Sequence, residues 1–250
     1  MSRQDFDFAH VRRYFFRHVD TLQNILFVAP VLLFSVIAHE YAHGFAALKQ
    51  GDPTAQQLGR LTWNPIKHID PFLTILMPLM MGLASNWKFM LGAAKPVPVD
   101  PRNYRNYRRG DIIVSLAGVF TNLLIAVAST VLIAVFGLIG RSVAAASDTM
   151  AILQVMMIYG VLINLMLIAF NLIPIPPLDG SHVVKHLLPA AWSIRYQQLA
   201  RFGFLILIIL LTVGRGVLDA WMGPASTVGS MMIGSVQSLV LPKAFLWFNS

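Results

Sequence analysis

Long apolar runs separated by short polar stretches dominate the pattern of this 250-residue chain. Runs at about 22–48, 112–139, 151–173 and 199–214 predict membrane-spanning helices, each of which needs roughly 20 residues. A weaker run, rich in Gly and Ser, fills 217–248. The pattern therefore predicts an all-α polytopic membrane protein with about five to six transmembrane helices. Residues 1–21 are polar with interleaved aromatic side chains, which is compatible with an interfacial helix.

The stretch between the first two long runs is irregular. Its apolar part, 71–86, is short for a span and is interrupted by Pro71 and Pro78, so we expect a re-entrant or surface segment there. A strand-like pattern occupies 58–63. The prolines of KPVPVDP at 95–101 predict an extended chain, because each proline fixes its own φ and biases the preceding residue away from helix.

Composition narrows the class of protein. Hydrophobic residues make up 56% of the chain and charged residues only 12%, which excludes an ordinary soluble domain and a disordered chain. A net charge of +8 would suggest nucleic acid in a soluble protein. Here the basic residues lie in loops beside apolar runs, so the positive-inside rule explains them and we expect no nucleic acid. The absence of cysteine excludes disulfides, iron–sulfur clusters and Cys-ligated zinc.

The first apolar run contains the sequence His39-Glu40-Tyr41-Ala42-His43, an HExxH motif. On a helix the two histidines lie on one face, where both imidazoles can bind one metal ion. Glu40 then lies beside the metal as a general base for water. Ionisable groups inside a bilayer are costly unless they are used or paired, so this placement strengthens the prediction of a metal site.

A zinc ion held by two histidines needs a third protein ligand and keeps one position open for water. Asp179 ranks first, because it follows the proline-broken end of an apolar run. An Asp-Gly surface turn is the simpler alternative for this residue. His182 ranks a distant second, and His68 and Asp70, in a polar loop, are further rivals.

Three segments together resemble the site-2 protease family of intramembrane zinc metalloproteases. HEYAH matches the HExxH of that family, and NLIPIPPLDG at 171–180 matches its Asn-x-x-Pro-x-x-x-x-Asp-Gly segment. SLAGVFTNLL at 115–124 resembles the middle core helix, with Gly118 and Asn122 in place but Val119 where proline is usual. GRLTWNPIKHIDP at 59–71 and AKPVPVDPRNYRN at 94–106 look like the short form without PDZ or CBS domains.

The resemblance implies a single intramembrane metalloprotease domain over 1–250. Its three-helix catalytic core lies within about 22–200, with peripheral helices at 201–250. One Zn²⁺ per chain would be bound by His39, His43 and Asp179, and Glu40 would activate water.

The resemblance leaves alternative roles open for two asparagines. Asn171 either positions the substrate or stabilises the oxyanion, or it caps the end of a helix. Asn122 is a weaker candidate for the same roles, and an interhelical hydrogen bond is the alternative for it.

The predicted activity is hydrolysis of peptide bonds in or near the transmembrane segments of membrane-protein substrates in the lipid bilayer. The unwound substrate could pair with an edge at 58–63 or 94–101. The alternatives are a membrane metal-binding or transport protein and a non-catalytic scaffold. The sequence indicates no particular oligomeric state.

The metal site also constrains the topology. The HExxH end of the first span and the end of the 151–173 span must face the same side, so the chain from 48 to 111 makes an even number of crossings. Lys and Arg number twelve on this side, over 49–109 and 174–201, against six on the other. This bias predicts an active site towards the cytoplasm. The compact pattern without a PDZ or CBS domain favours a prokaryotic plasma membrane.

Overall fold

The computed structural model describes residues 22–76, 79, 80, 83 and 94–244. Every regular element in these ranges is helical and none is a β-strand, which confirms the predicted all-α class. The interfacial helix considered for 1–21 lies outside the described residues.

The strand predicted at 58–63 is wrong, because this stretch forms irregular turns. Gly59 has a φ of +62°, a left-handed conformation that breaks an extended strand. The backbone N–H groups of Arg60 and Leu61 donate back to the carbonyl of Ala55, so they are not available to a neighbouring strand.

The α-helices of the described residues are numbered here in chain order. They are α1 (Leu22–Gln50), α2 (Thr54–Gln57), α3 (Tyr107–Ser142), α4 (Ser147–Asn171), α5 (Asp179–Leu187), α6 (Ala190–Gln198), α7 (Gly203–Thr212) and α8 (Arg215–Ser235). A turn of π type covers Pro71–Leu76, and 3₁₀ turns cover Pro65–His68, Pro101–Asn103, Ala144–Ala146, Leu199–Phe202 and Gln237–Leu239.

Four helical stretches in the described part of the chain are long and apolar enough to cross a membrane. They are Leu26–Gln50, Tyr107–Ser142, Ala144–Asn171 and Ala190–Thr212, and they agree with the four strongest apolar runs of the sequence. The weaker run at 217–248 overlaps α8, which is not among the four. The segment at 71–86 is described only in part.

The described residues group into two compact units by their contacts. The first contains 22–35, 122–172 and 204–244. Its apolar core is built around α4, where Val155, Ile158 and Val161 are almost completely buried. Helix α4 is apolar on all sides and has buried residues on several faces, not along one stripe. A helix of this kind is buried inside a protein, so it forms the centre of this core.

The second unit contains the described residues of 36–121 and 173–203. It holds a smaller apolar cluster of Ala47, Tyr104 and Val114. The chain leaves α1 at Gly51, whose φ of +112° is accessible mainly to glycine, and the N–H of Gly51 donates to the carbonyl of Leu48. Single-domain organisation over 1–250 stays a prediction.

Candidate metal centre

Two imidazoles and one carboxylate meet within the second unit. His39 and His43 are one turn apart on α1, so they lie on the same helix face. Their ring centroids are 4.6 Å apart and the ring planes are nearly perpendicular. Asp179 is the first residue of α5, and three prolines between α4 and α5 prevent the chain from continuing as one helix.

The ligand atoms of these three residues lie close together. Asp179 Oδ2 is 3.2 Å from His39 Nε2 and 3.4 Å from His43 Nε2. One ligand atom from each residue lies within 4.8 Å of the other two. Asp179 Oδ2 is buried and has no hydrogen-bond partner among the described residues, although almost all buried polar atoms have one. Two imidazole nitrogens and a carboxylate oxygen are a ligand set that suits zinc and leaves a fourth position open.

The carboxyl of Asp179 has the charge that a metal ligand needs. Burial alone would raise its pKa, but the adjacent imidazoles of His39 and His43 outweigh burial and hold the pKa below its ordinary value. The group is therefore an ionised carboxylate at neutral pH, which is the form that binds metal ions.

The backbone of α3 selects the tautomer of His43. Its Nδ1 lies 2.7 Å from the carbonyl oxygen of Val114, which can only accept a hydrogen bond. Nδ1 therefore carries a proton, so in the neutral ring that binds metals the lone pair is on Nε2, the atom nearest to Asp179. In most metal-binding histidines, the ring nitrogen that does not bind the metal donates a hydrogen bond of this kind, which orients the ring.

The ring of His39 packs directly against the backbone of α3 at Gly118. A Cβ atom added there would lie 2.5 Å from Cε1 of His39 and 2.6 Å from each ring nitrogen. Those separations are far below van der Waals contact, so only glycine at 118 leaves room for this ring position. The resemblance to the family singled out Gly118, and its contact with His39 gives the physical reason.

Glu40 is held by the non-helical chain before α3. Its Oε2 accepts a 2.7 Å hydrogen bond from the backbone N–H of Val97. Pro96 and Pro98 on either side have no N–H, so Val97 supplies the donor in this part of the segment. This contact orients the carboxylate of Glu40 next to the two histidines.

The same segment is anchored to the end of α1 by Asp52. This buried carboxylate accepts hydrogen bonds from the backbone N–H of Asp100 at 2.6 Å and from Nδ2 of Asn103 at 2.9 Å. Burial would raise the pKa of Asp52, but the bonds from Thr54, Asn103 and Asp100 bring it below its ordinary value. Asp52 therefore fixes the segment that orients Glu40.

The rival ligands of the sequence analysis lie outside the three-residue group. His68 is buried with its Nε2 2.9 Å from the carbonyl of Thr62. Asp70 begins the turn at Pro71–Leu76 and accepts the N–H of Phe72 at 2.9 Å. His182 has its Nδ1 3.2 Å from Oδ1 of Asp111.

The two asparagines differ in their surroundings. Asn171 donates from Nδ2 to the carbonyl of Leu167 at 2.9 Å, a local bond near the end of α4 that fits a capping role. Asn122 is fully buried, and neither of its side-chain polar atoms has a hydrogen-bond partner in the described structure. The described residues therefore provide no partner for the interhelical hydrogen bond considered for Asn122.

Comparison with known families identifies the class of protein. A family model described as Peptidase family M50 matches residues 27–213, which is well over half of the chain and includes all three residues of the metal centre. The chain therefore belongs to peptidase family M50. This membership confirms the resemblance to the site-2 proteases.

Relatives of known name cover most of the chain. "Putative zinc metalloprotease YwhC" of Bacillus subtilis is 36% identical over 195 residues, which is 78% of this chain and 84% of the relative. "Putative zinc metalloprotease Rip2" of Mycolicibacterium smegmatis is 28% identical over 198 residues, covering 77% and 71%. No solved structure matches the chain significantly.

Replacing Gly118 by alanine is expected to weaken metal binding. The added methyl group would force the His39 ring out of its position, since the nearest ring atom lies only 2.5 Å from the place that the new Cβ would occupy. We expect zinc affinity to fall about tenfold or more, in the range found when the surroundings of a ligand are disturbed. Competition with a chromophoric chelator measures this affinity. Gly223→Ala is the matched control, because no heavy atom lies within 4 Å of that Cβ position. Equal affinities of the two variants would contradict the role given to Gly118.

Proposed function

We propose that this chain is an intramembrane zinc metalloprotease that hydrolyses peptide bonds in or near transmembrane segments of membrane-protein substrates. The convergence of His39, His43 and Asp179 in a chain with four apolar helices carries the proposal. Membership of a peptidase family supports proteolysis over metal transport or a non-catalytic scaffold.

His39, His43 and Asp179 would hold one zinc ion, and Glu40 would be the general base. When bound, zinc supplies Lewis-acid polarisation of the scissile carbonyl and lowers the pKa of water. Glu40 takes a proton from the attacking water and passes it to the leaving amine as the C–N bond breaks. The bond from Val97 uses Oε2, so Oε1 of Glu40 is the oxygen proposed for this proton transfer.

Asn122 and Asn171 are the proposed residues for substrate or oxyanion contact. The amide of Asn122 supports this role more strongly, because both its donor and its acceptor are buried without a partner in the described part of the chain. The side chain of Asn171 already donates to Leu167, which supports capping of α4.

The extended segment before α3 is the remaining candidate edge for an unwound substrate. Val97 donates its N–H to Glu40, while Pro96 and Pro98 have none to offer. A substrate strand at this edge would therefore donate its own N–H groups to carbonyls of the segment and receive few in return. Such pairing leaves the carbonyl groups of the substrate available for attack.

Backbone contacts support the proposed re-entrant or surface location of 71–86. The N–H of Lys95 donates to the carbonyl of His68 at 2.8 Å, and Asp100 contacts Asp52 at 2.6 Å. Residues in contact lie on the same side of a membrane, so the chain between them crosses an even number of times. Two crossings need about 40 residues, more than the 26 between His68 and Lys95 provide.

We place the metal centre towards the cytoplasm of a prokaryotic plasma membrane. The excess of Lys and Arg at 49–109 and 174–201 supports this orientation. The proposed enzyme has about five to six spans, with a three-helix core of α1, α3 and α4 within 22–200 and peripheral helices at 201–250.

Single-cysteine labelling tests this topology directly, since the chain contains no cysteine. Gln56→Cys and Arg102→Cys replace exposed residues, and both are expected to react with an impermeant maleimide only from the cytoplasmic side. Val143→Cys, between α3 and α4, is the control for the opposite face. Labelling of positions 56 and 102 from opposite sides would contradict the re-entrant assignment.

Metal content and catalysis are expected to separate in two variants. Asp179→Ala should lose most bound zinc, because it removes a ligand. Glu40→Gln should keep about one zinc per chain yet lose about 10²-fold or more in the hydrolysis of a fluorogenic transmembrane peptide in vesicles. Elemental analysis and peptide cleavage measure the two effects. Full hydrolysis by Glu40→Gln would exclude Glu40 as the general base.

Removing the N–H of Val97 is expected to impair catalysis without removing the metal. Val97→Pro abolishes the 2.7 Å hydrogen bond to Glu40, so kcat should fall about tenfold while zinc content stays unchanged. Val97→Ala keeps the N–H and is the matched control. If both variants have the same kcat, the bond does not orient Glu40.

A further inference from the structure

Helix α5 begins with the third residue of the metal centre but has little local support. It is only nine residues long, and no side chain that the structure describes caps its N-terminus. Three prolines precede it within 174–177, and Pro189 follows it. Short isolated helices are unstable in water, so contacts elsewhere must fix the position of Asp179.

Asp111, in the first turns of α3, makes these contacts with α5. Its side chain is only 4% exposed. One carboxylate oxygen lies 3.2 Å from Nδ1 of His182, and the other lies 2.7 Å from both Nζ of Lys185 and Nε2 of His186. One buried carboxylate therefore binds successive positions along a single face of α5.

The cluster is an internal ion pair and not a second metal site. Asp111, His182 and His186 are ligand types, but the ammonium of Lys185 already lies 2.7 Å from the carboxylate. The positive charge of Lys185 balances the negative charge of Asp111. The imidazoles of His182 and His186 supply the remaining contacts of the carboxylate. Removal of one partner from such a buried pair is strongly unfavourable, so the pair fixes the geometry of α5.

One face of α3 contacts all three members of the metal centre, two directly and one through α5. Asp111, Val114 and Gly118 are spaced i, i+3 and i+7, which places them on the same side of the helix. Val114 binds His43, Gly118 packs on His39, and Asp111 holds the helix that carries Asp179.

We propose that Asp111 is a positioning residue, which holds α5 so that Asp179 reaches the metal bound by His39 and His43. The proposal rests on the function proposed above. Asp111 does not bind the metal itself. Its carboxylate affects the position of Asp179 only through the contacts that it makes with α5.

Cobalt titration of the full chain in detergent tests the proposal. Asp111→Asn is expected to weaken Co²⁺ binding about tenfold and to change the d–d absorption, because Asp179 no longer sits in register with the two imidazoles. Asp148→Asn removes an exposed carboxylate paired with Lys243 and is the matched control. Wild-type affinity and spectrum in folded Asp111→Asn would overturn the proposal.

The double variant Asp111→Asn/Lys185→Gln separates position from charge. It restores the net charge, so a long-range electrostatic effect alone would recover cobalt affinity, and this result would overturn the proposal. A positioning role predicts that the loss and the altered spectrum persist. If Asp111→Asn fails to fold, Lys185→Met tests the same 2.7 Å contact from α5, with the same expected loss and the same contrary outcome.

Asp179→Ala distinguishes failure of this proposal from failure of the proposed function. If Asp179→Ala binds cobalt like the wild type, the metal centre itself is wrong. If Asp179→Ala loses cobalt while folded Asp111→Asn binds it normally, only the positioning role is wrong.

Discussion

The approach of Asp179 to His39 and His43 is the contact on which the active region depends. It joins the first long helix to a short helix far along the chain, and it gathers polar atoms that are costly to bury unpaired. Each neighbouring element reduces the freedom of one of these groups. The backbone of α3 fixes the two rings, and the segment before α3 fixes the carboxylate of Glu40.

The early part of α3 has an organising role of which the sequence reveals only Gly118. Its residues read as an ordinary apolar span with a single acidic residue near the start. In the structure, three residues on one face of α3 each support a different part of the centre. The carbonyl of Val114 binds His43, Gly118 leaves room for the ring of His39, and the buried carboxylate of Asp111 holds α5. Rigid support of this kind is what keeps a catalytic group within the narrow range of productive geometry.

Sequence reasoning reached the helical class, the four strongest spans and the three residues that converge. The class and the spans follow from the lengths of the apolar runs. The pairing of His39 with His43 follows from their i, i+4 spacing on a helix. Both signals lie within one short stretch of sequence. The strand at 58–63 was wrong because Gly59 and the donors to Ala55 determine a turn. The hydrogen bond that holds Glu40 and the ion pair that holds α5 depend on long-range packing, which no local pattern encodes.

Two of the contacts around the centre use the main chain, at Val114 and Val97. Every amino acid has a carbonyl, and every one except proline has an N–H, so these contacts survive almost any substitution at those positions. Genetic drift can therefore change the side chains at 97 and 114 while the orientation of Glu40 and His43 is inherited unchanged. Divergent relatives can share this geometry without sharing the residues that provide it.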